Sequence, residues 1–172
     1  MSQPQYGPVW LSACPPVSPY PPVCPPYPPV CPPAPQPLPA FLGCALQEIQ
    51  FWSQIAAEQT IALRALVPGL DEATVAELQR LEDEYTDIGA RAGLLRENWG
   101  TFGSLDPVTG ELGLLVNRSM TANTRLLELL ALLAQANPDN SVVQLITRHF
   151  SSLIRYYQRI LEQIGAMLMS RY

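Results

Sequence analysis

Sixteen of the nineteen prolines fall before residue 41, and no Asp, Glu, Lys, Arg or His occurs before Glu48. Proline fixes φ and removes a backbone donor, so neither helix nor sheet is open to that stretch. The chain of 172 residues therefore divides into a neutral arm, residues 1–39, and a folded part, residues 40–172, long enough for a sizeable core. Within the arm, "YPPVCPPYPPVCPP" writes the unit Y-P-P-V-C-P-P twice, from Tyr20 to Pro33.

After the arm the apolar residues recur with helical spacing. Helix 1 is expected from Ala40 to Leu66, on the 3-4 stripe Ile49, Trp52, Ala56, Gln59, Leu63 and Leu66. Pro68 and Gly69 stop it, and Asp71 caps the next. Helix 2 runs from Glu72 to Asn98 on Leu78, Leu81, Tyr85, Ile88, Ala92 and Leu95; Gly89 and Gly93, one turn apart, let a neighbour approach closely. "WGTFGSLDPVTG" reads as the one long loop. Helix 3 is expected to begin between Glu111 and Asn117 and to end near Ala136, on Val116, Met120, Asn123, Leu127, Leu130 and Ala134. "NPDNS" breaks the chain and caps helix 4, Val142 to Met169, on Ile146, Phe150, Leu153, Tyr157, Ile160, Ile164 and Met167. Four amphipathic helices of similar length define an all-α fold, an antiparallel up-and-down four-helix bundle carrying a disordered or polyproline arm.

Charge excludes several functions. The net charge is −5, all ten basic residues are Arg, and there is no Lys. Such a chain lacks the basic footprint of a nucleic-acid binder, a P-loop or Schiff-base lysine and a polybasic membrane anchor. No basic n-region with an apolar h-region opens the chain, and no run is long and apolar enough to span a bilayer, so synthesis in the cytoplasm is expected. There is no Ser-His-Asp or Cys-His arrangement in context, and the expectation is a protein that is not an enzyme. The acidic run "EDEY" at 82–85 reads as a solvated face rather than a cation site. "NRS" at 117–119 carries no meaning without a secretory signal.

The polar residues on or beside the stripes need partners, because buried polar groups are costly without them. Gln59 and Asn123 fall on the stripes; Glu48 and His149 lie beside them. Glu48 and Gln59 share a face about 16 Å apart, three turns of helix. In an up-and-down bundle Gln59 and His149 sit at one height and can pair. Were the long loop to cross the bundle, His149 would face Glu48 instead, but about a dozen residues spanning at most ~40 Å would have to be taut.

"EIQFWSQIAAEQTIALRALVPGL" resembles the first helix of the Bacillus cereus metalloprotein-like family, whose pattern is E-x-x-F-W, then an acidic residue followed by His, then a leucine-rich end and a turn. "ITRHFSSLIRYYQRIL" is similar to that family's fourth helix. The resemblance covers about residues 45–170, one of the two four-helix repeats usual in the family. It implies an up-and-down bundle with a metal held between helices by His and carboxylates. By position Glu48, Phe51 and Trp52 match the opening motif, Glu58 the acidic residue and His149 the histidine of helix 4. Gln59 stands where the family has His, and Leu153 stands near a carboxylate position. No E-x-x-H is present. His149, Glu48 and Glu58 are thus the metal ligands of an alternative reading, a transition-metal bundle with its site between helices 1 and 4. The main reading has no cofactor, and makes Gln59 and His149 a hydrogen-bonded core pair that sets register.

Cys14, Cys24 and Cys31 lie in the arm, and Cys44 at the start of helix 1. In polyproline II, Cys24 and Cys31 are about 22 Å apart. A disulfide needs Cα atoms within about 7 Å, so local bridging is disfavoured while the arm stays extended. Spaced thiols alternating with Tyr6, Tyr20 and Tyr27 suit cross-links to other chains. The expectation is a structural or interaction protein whose arm engages protein partners, with no nucleic acid or membrane among them. Proline-rich arms bearing Cys and Tyr on small helical bodies resemble components of bacterial spore coats, an analogy that also suggests spore association. A proline-rich ligand for an SH3-like or WW-like groove is a third class, disfavoured because no basic residue flanks the prolines.

Overall fold

A computed structural model describes residues 37–99 and 105–170. Residues 1–36, with Cys14, Cys24 and Cys31 and the repeated unit, lie outside the described residues; Leu38 and Pro39, assigned to the arm from the sequence, are already helical. The described chain is four helices, α1 (Leu38–Leu66), α2 (Glu72–Asn98), α3 (Asp106–Ala136) and α4 (Ser141–Met169).

Local chemistry places their ends. Pro39 sits in the first turn of α1, where its missing N–H costs nothing. Val67 closes α1, and Gly69 turns the chain at φ 69°, a left-handed conformation suited to glycine. The Asp71 carboxylate accepts from Thr74 N–H at 2.6 Å and caps α2. The Asn140 amide oxygen accepts from the N–H groups of Val142 and Val143, both at 3.2 Å, and caps α4.

α3 begins earlier than its sequence suggests. Pro107 lies in its first turn, where proline is tolerated, and the Thr109 hydroxyl donates to the Leu105 carbonyl at 2.9 Å. Gly110, which reads as a loop residue, continues the helix. Val108, Leu112 and Leu115 supply the burial that holds this extra length.

The cross-helix pairs show that neighbours run antiparallel. Between α2 and α3, Arg125 bonds Glu77, Arg118 bonds Asp87 at 2.8 Å and Arg91 bonds Glu111 at 3.2 Å, one number falling as the other rises. Arg64 of α1 reaches Gln79 and Glu82 of α2. Gln144, near the start of α4, donates to the Ala134 carbonyl at the end of α3, at 2.7 Å. Three antiparallel neighbours in succession leave α1 and α4 antiparallel too. This is the up-and-down bundle, and the crossover alternative is excluded.

α1 and α2 pack most intimately. A Cβ on Gly89 would stand 3.6 Å from Gln50 O and Ser53 Cβ, and one on Gly93 only 3.0 Å from the Gln50 amide. Those two glycines give the close approach that their spacing predicts.

The buried lines of α1 and α2 follow their expected stripes, except that Leu66 is exposed and Leu95 half-buried. Those of α3 and α4 follow theirs only in part: Val116, Asn123 and Leu130 on α3 and Tyr157 and Ile164 on α4 are buried as expected. On α3, Ser119, Leu126 and Leu133 are central, while Met120, Leu127 and Ala134 lie half-buried; on α4, Thr147, Ile154, Leu161 and Leu168 are central, while Ile146, Leu153, Ile160 and Met167 lie half-buried. A bundle helix buries a band wider than one 3-4 line, and apolar runs such as "LLELLALLA" allow more than one frame.

Candidate functional site

The centre of the bundle is polar. Tyr157 of α4 donates its hydroxyl to Ser119 Oγ of α3 at 3.1 Å, and Ser53 Oγ of α1 lies 3.0 Å away on the other side. A phenol has one proton to donate, so Ser53 supplies the donor for the second bond. The three side chains are buried, and they tie three helices at one level. Tyr85 of α2 donates to Asn123 Oδ1 of α3 at 2.8 Å. Trp52 donates Nε1–H to Glu48 Oε2 at 3.0 Å, one turn back on α1, and its ring packs against Tyr156 and Tyr157 at 5.2 and 6.2 Å.

Burial sets the electrostatics. It pushes the Tyr157 phenol up to about 12; the Ser119 and Ser53 hydrogen bonds pull the other way, and the Glu48 carboxylate adds to the rise. Burial likewise raises Tyr85 well above the ordinary phenol value, reinforced by Tyr157 and opposed by Arg125. These hydroxyls stay protonated and act as donors and acceptors that hold helices in register.

Not every buried polar group is matched. Gln59 is only 4% exposed, and neither of its amide atoms has a hydrogen-bond partner among the described residues. Asn123 Nδ2 is also unpartnered.

The structure separates the residues that the sequence grouped. Gln59 lies about two turns along from Ser53, and His149 about two turns back from Tyr157, so the expected equality of height holds. Yet His149 is exposed, its ring 6.0 Å from that of Phe150. The Gln59–His149 core pair does not form, because α4 turns its Thr147–Ile154 line to the core and His149 outward. The proposed ligands disperse for the same reason. Glu48 is buried beside Trp52, Glu58 is exposed and accepts from Gln54 at 3.0 Å, and His149 faces outward. Among the described residues, no group of three or more His, Cys, Asp or Glu side chains is placed to hold a metal ion. Leu153, at the position of the missing carboxylate, is half-buried.

The acidic run of α2 is a paired face: Glu82 with Arg64, Glu84 with Arg118, and Asp83 accepting from Gln79. Ser53 and Ser119 escaped the sequence reading. Their signal was indirect, since Tyr85 and Tyr157 fell on core stripes and a buried phenol needs a partner. Cys44, noted only for its position, is disulfide-bonded.

No family model, curated protein or solved structure matches the chain. The resemblance to the metalloprotein-like family thus rests on the helix motifs alone. No helix among the described residues is long and apolar enough to cross a membrane.

Proposed function

We propose that the chain is a non-enzymatic structural or interaction protein, in which the helical bundle is a rigid body and the proline-rich arm makes the attachments. The supporting observation is where the reactive groups lie. The core phenols of the body are tied as Ser53–Tyr157–Ser119 and to the amide of Asn123 as Tyr85–Asn123, and burial holds them neutral. The arm holds three of the four cysteines, spaced by prolines and alternating with tyrosines.

The disulfide at Cys44 supports a role for cysteine pairing in this chain. The other cysteines are Cys14, Cys24 and Cys31, all outside the described residues, and they supply the thiols for links between chains. Each such link removes two protons and two electrons from a pair of thiols and passes them to an oxidant, such as oxygen or a low-mass disulfide. That chemistry suits an assembly that becomes oxidising after synthesis, as a bacterial spore coat does.

Non-reducing electrophoresis of the full chain after mild oxidation tests this reading. A ladder of covalent oligomers is expected, collapsing to monomer when Cys14, Cys24 and Cys31 are replaced by Ser. Monomer throughout, or a ladder that survives those replacements, rejects it.

A further inference from the structure

Charge is distributed unevenly around the bundle. α2 carries seven carboxylates against three arginines, and α4 carries three arginines against the single carboxylate of Glu162. Pairing is uneven too. Arg64, Arg80, Arg91, Arg118 and Arg125 all form ion pairs on or beside α2. Among the described residues none of the three arginines of α4 does; Arg148 and Arg155 are exposed, and Arg159 lies over the Tyr156 ring at 5.7 Å from its centroid.

The same helix shows apolar surface next to those cations. Val142 is 56% exposed and Leu145 68%, and Leu145 lies one turn before Arg148 on the same face. α4 thus presents a stripe that is basic and apolar together, on a chain whose net charge is −5.

The complementary surface lies on α1 and α2. A groove of about 270 Å³ runs between them, with Ala57, Gly89 and Ala90 among its lining and Ile61 47% exposed at its edge. Glu58 and Glu82 also line it, and exposed Asp83 adjoins Glu82. Glu58 is outside every ion pair among the described residues. The small residues of the tight α1–α2 contact open the groove, and the acids give it the sign opposite to that of α4.

We propose that the α1–α2 groove of one copy receives the α4 stripe of another. The apolar flank of α4 covers the Ala57, Ile61 and Ala90 surface, while Arg148 and Arg155 meet Glu58 and Asp83. The two surfaces are different patches of one chain, so the contact is heterologous and leaves a free stripe on one copy and a free groove on the other. Contacts of that kind propagate into rings or open filaments rather than closing as a two-fold dimer. The inference stands apart from the arm: it concerns a non-covalent contact of the body and needs no thiol.

Sedimentation or light scattering of the full chain under reducing conditions tests it without interference from disulfides. At low salt the average mass is expected to rise with concentration past that of a dimer. It should fall back to monomer near 1 M salt, where the screening length is about 3 Å. Arg148→Glu with Arg155→Glu should give monomer at all concentrations, as should Glu58→Arg with Asp83→Arg. An equimolar mixture of the two variants should regain association, because each supplies a reversed face to the other. Circular dichroism confirms that both variants keep their helices; these side chains are exposed, and loss of helicity in one leaves the other as the test. A wild-type chain that is monomeric at low salt, association indifferent to salt or to both reversals, or binding of anionic vesicles in place of self-association overturns the proposal.

Discussion

Replacing Gln59 by Leu should stabilise the bundle. The side chain is 4% exposed, sits one turn from Ala56 and Leu63 on the core line of α1, and leaves both amide atoms without a hydrogen-bond partner among the described residues. An unsatisfied buried polar group costs about 1–3 kcal/mol, and an apolar replacement of similar size removes that cost. Leucine is shorter by one heavy atom, so part of the gain returns as a small packing defect. A net stabilisation of about 1–2 kcal/mol is expected, raising Tm by roughly 3–8 °C for a folded part of this size. Urea unfolding followed by far-ultraviolet circular dichroism measures it, with the midpoint moving and the slope unchanged. His149→Ala is the companion variant. An exposed ring without structural partners should change stability by less than about 0.5 kcal/mol. A Gln59→Leu protein less stable than wild type, or a coupling of about 1 kcal/mol or more between positions 59 and 149 in the double-mutant cycle, would refute the reasoning, because either requires the amide to be satisfied in the native core.

Tyr85→Phe should destabilise the bundle by about 1–3 kcal/mol, measured by the same unfolding assay, because Asn123 then loses the partner of Oδ1 while its Nδ2 already has none. Gly69→Ala should cost about 1 kcal/mol in thermal unfolding, since the φ of 69° holds the new Cβ in the left-handed region although no atom lies within 4 Å to clash with it.

Much of this architecture is legible in the residues because it depends on local chemistry. Pro68, Gly69, Asp71 and Asn140 mark helix ends through φ restriction and capping, which need no knowledge of the partner helix. The α1 and α2 stripes are equally clear, because polar residues flank Ile49, Trp52, Leu78 and Leu81 closely enough to leave one frame. α3 and α4 are harder. In "LLELLALLA" neighbouring frames are both apolar, and only contact with the other three helices selects Leu126 and Leu133 over Leu127 and Ala134. The same ambiguity on α4 decides the fate of His149. It stands close in sequence to the core residue Thr147 and the half-buried Phe150, and whether it faces Gln59 or the exterior turns on a rotation of one residue, about 100°. Equal height on two helices does not make two side chains meet, and the Ser53–Tyr157–Ser119 contact exists only once three helices are in place.

The Tyr157 contact carries a pH signature that distinguishes a neutral structural phenol from a reactive one. Its folded pKa is raised from 10.0 to about 12, chiefly by burial, so the native state holds the proton more tightly than the unfolded chain does. For a group with a raised folded value, the stabilising contribution is fully present below the unfolded pKa. It is lost as pH rises through the folded value, since the unfolded state gives up its proton first. A shift of that size corresponds to about 3 kcal/mol, removed progressively between about pH 10 and 12. Tyr85 is shifted in the same direction and adds to the loss. Tyr157→Phe lowers the baseline, because Ser53 and Ser119 lose their common partner. The informative quantity is therefore the slope of unfolding free energy against pH above 10. That slope should be shallower in Tyr157→Phe than in wild type by up to about 1.4 kcal/mol per pH unit. An unchanged slope would mean that the phenol ionises as readily in the bundle as in the unfolded chain. It would then be hydrated in the native state, and the hydroxyl contact joining α1, α3 and α4 could not be the dry tie described here.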